Sequence, residues 1–203
     1  MALKLPAVNR ARVAAGIAEM VLRYVRRIPS SSEKKSRTPA EAARSRANSA
    51  AARAALAAGS LALPPGPLGW ITILPEMAAV WRIQSQMVSD IAAIYGRKST
   101  LTEEQMIYCL FRHSAPQAVR DLIARIGGRV LVKRTSLAFM QTIAKKIGIK
   151  LSQKVLGKGL SRWIPVAGAL GVGAYAYYDT AQVAATAIDL FGREIEVDPK
   201  SAE

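Results

Sequence analysis

Two long stretches without charge, each broken by glycine and proline, constrain this chain more than anything else in it. Residues 54–75 contain LALPPGPLGWITILP and have no ionisable side chain before Glu76. Residues 163–188, WIPVAGALGVGAYAYYDTAQVAATAI, carry one charge, Asp179. Charge-free runs of this length are unusual in a soluble core. Near lipid they are expected, because hydrocarbon excludes charge and closely packed helices tolerate Gly and Pro. Residues 163–178 fall short of the ~20 needed to span a bilayer. The first block is long enough but is interrupted by Pro64, Pro65 and Pro67. The blocks therefore fit segments that dip into a membrane, lie beneath it, or pack together as a buried hairpin. Gly66 and Gly69 in one block, and Gly168, Gly171 and Gly173 in the other, are the expected points of close helix approach, each group lying beside a tryptophan.

The charge around the blocks points the same way. The chain has 29 Lys+Arg against 14 Asp+Glu, a net of +15, which implies an acidic partner. Residues 1–60 hold 12 basic and 3 acidic side chains, and residues 122–178 hold ten basic ones and no carboxylate. After Tyr178 the sign reverses, with six acids against Arg193 and Lys200. Basic segments flanking apolar ones resemble juxtamembrane sequences. The stripe of Lys145, Lys146, Lys150, Lys154, Lys158 and Arg162 is the expected lipid-binding element. With aromatic residues at only 6%, and most of them in the apolar blocks, stacking platforms do not alternate with the cations. Nucleic acid therefore ranks behind anionic lipid as the partner. One cysteine excludes an intramolecular disulfide and fits a reducing compartment. The N-terminus has no uninterrupted apolar signal core. This favours the cytoplasmic side of a membrane, although a basic, acid-poor amphipathic start also fits a mitochondrial presequence.

The punctuation predicts helices throughout. One runs from Asn9 to about Arg27. A second opens at Thr38-Pro39 with Glu41 closing a capping box, and a third covers residues 68–95. On the third, Trp70, Leu74, Met77, Trp81, Val88, Ile91 and Tyr95 form an apolar face, interrupted by Gln84. Thr72, Glu76, Arg82, Gln86, Ser89 and Asp90 lie opposite. Thr102 starts the next helix, and a short one runs from Pro116 to Ile126. Residues 135–146 and 150–156 form two more, separated at Gly148. The last covers about Pro165 to Phe191. The fold class is an all-α bundle with the two apolar blocks packed together. It divides into basic N-terminal helices (1–60), a helical domain (61–192) and an acidic tail (193–203).

PPGPLGWITILPEMAAVWRIQSQMVSDIAAIYG resembles the Pro-Pro-Gly entry and aromatic helix of the EcsC family, and SRWIPVAGALGVGAYAYYDTAQVAATAI resembles its second block. The resemblance spans residues 61–191 and leaves the basic N-terminus outside. It implies a bacterial protein acting near membranes as an accessory, with a membrane transporter as a possible partner, and it brings no catalytic motif.

Glu76 and Asp179 are the sharpest functional candidates. A carboxylate within an apolar block needs a cation or hydrogen bonds, and Arg82 and Arg162 are plausible partners. The pair could be proton-sensitive, could hold a metal at a helix seam, or could be structural. Cys109 and His113, four residues apart, share a helix face. Two such groups alone do not make a metal site or a nucleophilic pair, and packing explains them better. There is no Gly-X-Ser-X-Gly elbow, and the 168–173 glycines lack the Lys-Ser/Thr of a phosphate loop. Neither a cofactor nor a resident metal is expected. The function expected is a membrane-associated, lipid-interacting accessory role. The alternatives are a soluble nucleic-acid-binding or regulatory protein and an enzyme of unrecognised type.

Overall fold

The computed structural model describes residues 10–61, 69–126, 129–157 and 165–198. Within these the protein is an all-α bundle with one small sheet. Its helices are α1 (Arg10–Arg26), α2 (Pro39–Leu61), α3 (Gly69–Ile94), α4 (Glu103–Phe111), α5 (Pro116–Val119), α6 (Leu137–Gly157) and α7 (Pro165–Phe191). The strands are β1 (Ile123–Ile126), β2 (Arg129–Lys133) and β3 (Glu194–Asp198). β1 and β2 are antiparallel, with Ile126 opposite Arg129. β3 lies parallel to β2, with Val130 opposite Ile195.

The sheet corrects two expectations. Residues 123–126 continue the segment after Pro116 as a strand, not a helix, and residues 194–198 of the acidic tail form an edge strand of the sheet, where only helices were expected. Val130 and Val132 are buried while Arg129 and Lys133 are exposed, the period-two pattern of a half-buried strand.

The centre of the molecule is α4, in which every residue from Glu104 to Phe111 is buried. Its start is fixed by a reciprocal cap. The Gln105 backbone N–H donates to Thr102 Oγ1 (3.3 Å), and the Thr102 N–H donates to Gln105 Oε1 (3.0 Å). Around it pack Ile17 and Val21 of α1, Met87 and Ile91 of α3, and Phe191 of α7, and Ile143 and Ile147 of α6 belong to the same core. Trp81 meets Phe111 edge-on, with ring centroids 5.1 Å apart and planes at 89°. Such a pair is worth about 0.5–1.5 kcal/mol beyond its buried area. Since α1 and α2 supply Ile17, Val21, Ala43, Ala47 and Ala50 to this core, no break in packing occurs at residue 60.

α3 is more deeply placed than its amphipathic pattern predicts. Ser89, Asp90 and Glu76, expected on a polar face, are buried with the apolar side, as is Ser85, and Arg82 stays exposed. A helix surrounded by neighbours buries its whole circumference, and its polar groups then need partners. Asp90 has them: it accepts from Ser31 Oγ (2.7 Å), Arg46 Nε (2.9 Å) and Gln86 Nε2 (2.9 Å).

Two glycines play roles opposite to those read from the sequence. Gly148 does not separate helices, since α6 runs through it. A side chain there would collide with the Ala14 carbonyl oxygen and Ala18 of α1, so this glycine sets the α1–α6 approach. Gly171, expected to be a packing glycine, is exposed, and a Cβ on it would meet nothing within 4 Å. The close contact is one residue pair further along. A Cβ on Gly173 would stand 3.1 Å from the Ala55 carbonyl oxygen and 3.9 Å from Gly59 of α2. α3 and α7 do pack on each other, but α7 makes its closest backbone approach to α2, where Ala54 and Ala58 leave room. Gly66 lies outside the described residues, and the surroundings of Gly69 and Gly168 are likewise not described.

Candidate membrane-facing surface and buried polar junction

α6 packs one side on α1 through Ile143, Ala144, Ile147 and Leu151. Its other side turns outward. At 100° per residue, Phe139, Lys146, Ile149 and Lys150 fall within an arc of about 100°, with Lys145 about 40° beyond Ile149. All five are exposed, Phe139 by 42% and Ile149 by 54%. The face thus mixes three ammonium groups with two large apolar side chains. Sequence periodicity found the lysines, but which apolar residues stand among them depends on how α6 sits on α1. α6 ends at Gly157. Lys158 and Arg162 lie outside the described residues, and the Lys154 side chain is not described.

The second feature is polar and lies at the meeting of three helices. Asp179 of α7 accepts from Gln84 Nε2 of α3 (2.8 Å), and its other oxygen lies 2.6 Å from His113 Nε2, just after α4. Gln84, fully buried, also donates to Thr180 Oγ1 at 3.1 Å. The sequence singled out Asp179 and His113 separately and offered Arg162 as a partner. The observed partners are His113 and Gln84, 66 and 95 positions away, and nothing local in the sequence signals that contact. The Tyr175 phenol is pushed above its ordinary value, first by burial and then by the negative charge of Asp179 and of Tyr178. Glu76 is buried on α3, two turns before Gln84.

Cys109 is fully buried in α4, and burial drives its thiol well above the ordinary range, against a smaller opposing pull from Arg112. It is therefore a protonated core residue, while His113 turns to α7, and the two form no nucleophilic pair. Among the described residues, no group of three or more His, Cys, Asp or Glu side chains is placed to hold a metal.

The family model that describes EcsC proteins matches residues 4–193. The chain belongs to the EcsC protein family. The match reaches further than the two apolar blocks that carry the resemblance and takes in the basic N-terminal helices. This agrees with the packing of α1 and α2 into the common core of the EcsC chain. No curated protein and no solved structure matches this chain.

Proposed function

We propose that this EcsC-family protein is a peripheral membrane protein that binds anionic lipid from the cytoplasmic side and serves as an accessory there. The observation that carries the reading is the outward face of α6, where Lys145, Lys146 and Lys150 surround exposed Phe139 and Ile149. Ammonium groups attract an anionic headgroup layer at about 1 kcal/mol each, and apolar side chains among them gain by entering the headgroup–acyl boundary. α1, which packs against α6, adds exposed Arg10, Arg12, Arg23 and Arg26 to the positive surface. Among the described residues no helix is long and apolar enough to cross a membrane, so the attachment proposed is to one surface.

Sedimentation with vesicles of phosphatidylcholine alone and of phosphatidylcholine mixed with phosphatidylglycerol tests the proposal. Binding to the anionic vesicles only, weakening as salt rises, is the expected result. Equal binding to both, or tighter binding to nucleic acid than to vesicles at physiological salt, would overturn it.

A further inference from the structure

The two charge-free blocks converge on one end of the bundle. Gln84 of α3 bonds Thr180 of α7, 96 positions later. Val80 and Ala176, 96 positions apart like Gln84 and Thr180, lie in one apolar cluster. The two helices therefore run in the same direction, and carrying the offset back to their starts pairs Gly69 with Pro165, so both begin at one level. α2 runs the opposite way and ends beside them, with Ala54 and Ala58 closing the cluster around Val80 and Ala176.

This end has an unusual surface. From Pro165 to Tyr178, α7 rises about 20 Å without a charged side chain. Over the same levels α3 contributes the buried Glu76 and, at the lowest level, Arg82, and α2 has no charge after Arg53. Apart from Ser60, the side chains turned outward are apolar or aromatic: Leu56 is 74% exposed, Leu170 70% and Tyr178 61%, with Tyr177 and Ala174 beside them. At the base of this tip stand exposed Arg53 and Arg82, the latter level with Tyr178 by the same offset. On its other flank Gly16 of α1 lies against Leu74, 3.2 Å from a Cβ built on the glycine, and α1 in turn carries α6. α6, which carries the basic face, is thus joined to this end through α1.

We infer that the joined end of α2, α3 and α7 inserts into a single leaflet, an inference that rests on the membrane reading above. Leu56 and Leu170 enter the acyl region, Tyr177 and Tyr178 stand at headgroup level, and Arg53 and Arg82 meet lipid phosphate. Tyrosines beside cations at the base of an apolar segment are the arrangement of interfacial anchors. A tip of about 20 Å is too short for a hydrocarbon layer of ~30 Å, so it enters without crossing. Charge complementarity favours lipid over a second copy of the chain. Another molecule of net charge +15 brings another Arg53 and Arg82, whereas a headgroup layer brings phosphate.

The tryptophans allow a direct test. Trp70 lies in the first turn of α3, at the proposed tip, and Trp163 comes two positions before α7 in the sequence, whereas Trp81 is buried in the core. Fluorescence is read on vesicles of brominated phosphatidylcholine mixed with phosphatidylglycerol, at low and high salt. The expected result is quenching that, per molecule bound, does not fall as salt rises and that vanishes when Trp70 and Trp163 are both replaced by Phe. Leu170→Asp and Leu56→Asp, each at an exposed site that leaves the core intact, should abolish quenching while binding at low salt remains. Binding without quenching, or quenching unchanged in both Asp variants, would overturn the insertion and leave surface attachment standing. No binding to any vesicle would overturn both.

Discussion

Replacing Gly148 by alanine should separate two effects that glycine substitutions usually mix. In a helix interior Gly→Ala gains about 0.5–1 kcal/mol from backbone entropy. At Gly148 the new methyl group meets the carbonyl oxygen of Ala14, a backbone atom held in the hydrogen-bonded ladder of α1. It cannot move aside as a flexible side chain would, so α1 and α6 must shift apart, and overpacking of this kind costs about 1–3 kcal/mol. Gly171→Ala in α7 provides the control, since its methyl group meets nothing within 4 Å. The propensity gain is common to both, so the difference in stability isolates the packing cost. At 2–4 °C per kcal/mol for a chain of this size, Gly148→Ala should melt about 2–12 °C below Gly171→Ala. Thermal melts followed by helical circular dichroism measure this. Equal melting temperatures, or a more stable Gly148→Ala, would refute the close α1–α6 approach.

Asp90→Ala should cost about 2–3 kcal/mol, seen as a lower urea midpoint, because Arg46, Ser31 and Gln86 all lose their buried acceptor. Arg46, a third exposed, can turn partly to water, which keeps the loss below that of a fully buried pair. Cys109, the lone thiol, should resist alkylation at neutral pH in the folded protein and react at a rate set by opening of the core; rapid reaction without denaturant would contradict its burial. The raised Tyr175 phenol favours the neutral ring in the folded state. Its stabilisation is complete below the ordinary phenol value of 10.0 and is lost as pH rises through the higher folded value. Asp179→Asn removes one of the causes, so the highest tyrosinate absorbance step should move to lower pH, and an unmoved step would exclude the Asp179–Tyr175 interaction.

Helix starts and stops were legible because local chemistry sets them. α2 begins at Pro39, α4 is capped by Thr102, and α7 begins at Pro165 and ends at Phe191. Contacts between distant segments were not. β3 pairs with β2 across more than sixty residues, and β1 has only four residues, too few for an alternating pattern to stand out against helix-forming neighbours. The Gly127-Gly128 pair and the alternation in Glu194–Asp198 were signals of strand that the surrounding helical composition masked. Gly148 illustrates the ambiguity of glycine: the same residue marks a helix break or a close approach, and only the partner helix decides. For the candidate surface, lysine spacing was visible. The Phe139 and Ile149 side chains beside the lysines, and the union of Asp179 with His113, required the packing of α6 on α1 and of α7 on α4.

The central claim is that a particular face, and not overall basicity, holds the protein on anionic lipid. The most direct test compares two triple variants with the same change in net charge. Lys145→Glu, Lys146→Glu and Lys150→Glu reverse the α6 face. Lys34→Glu, Arg37→Glu and Arg44→Glu alter exposed sites before and at the start of α2, remote from the α2–α3–α7 tip. At about 1 kcal/mol per cation, the α6 variant should lose about 3 kcal/mol, more than a hundredfold in vesicle partitioning, while the control loses far less. Equal losses in the two variants would show that net charge alone drives binding and would contradict the assignment of the α6 face.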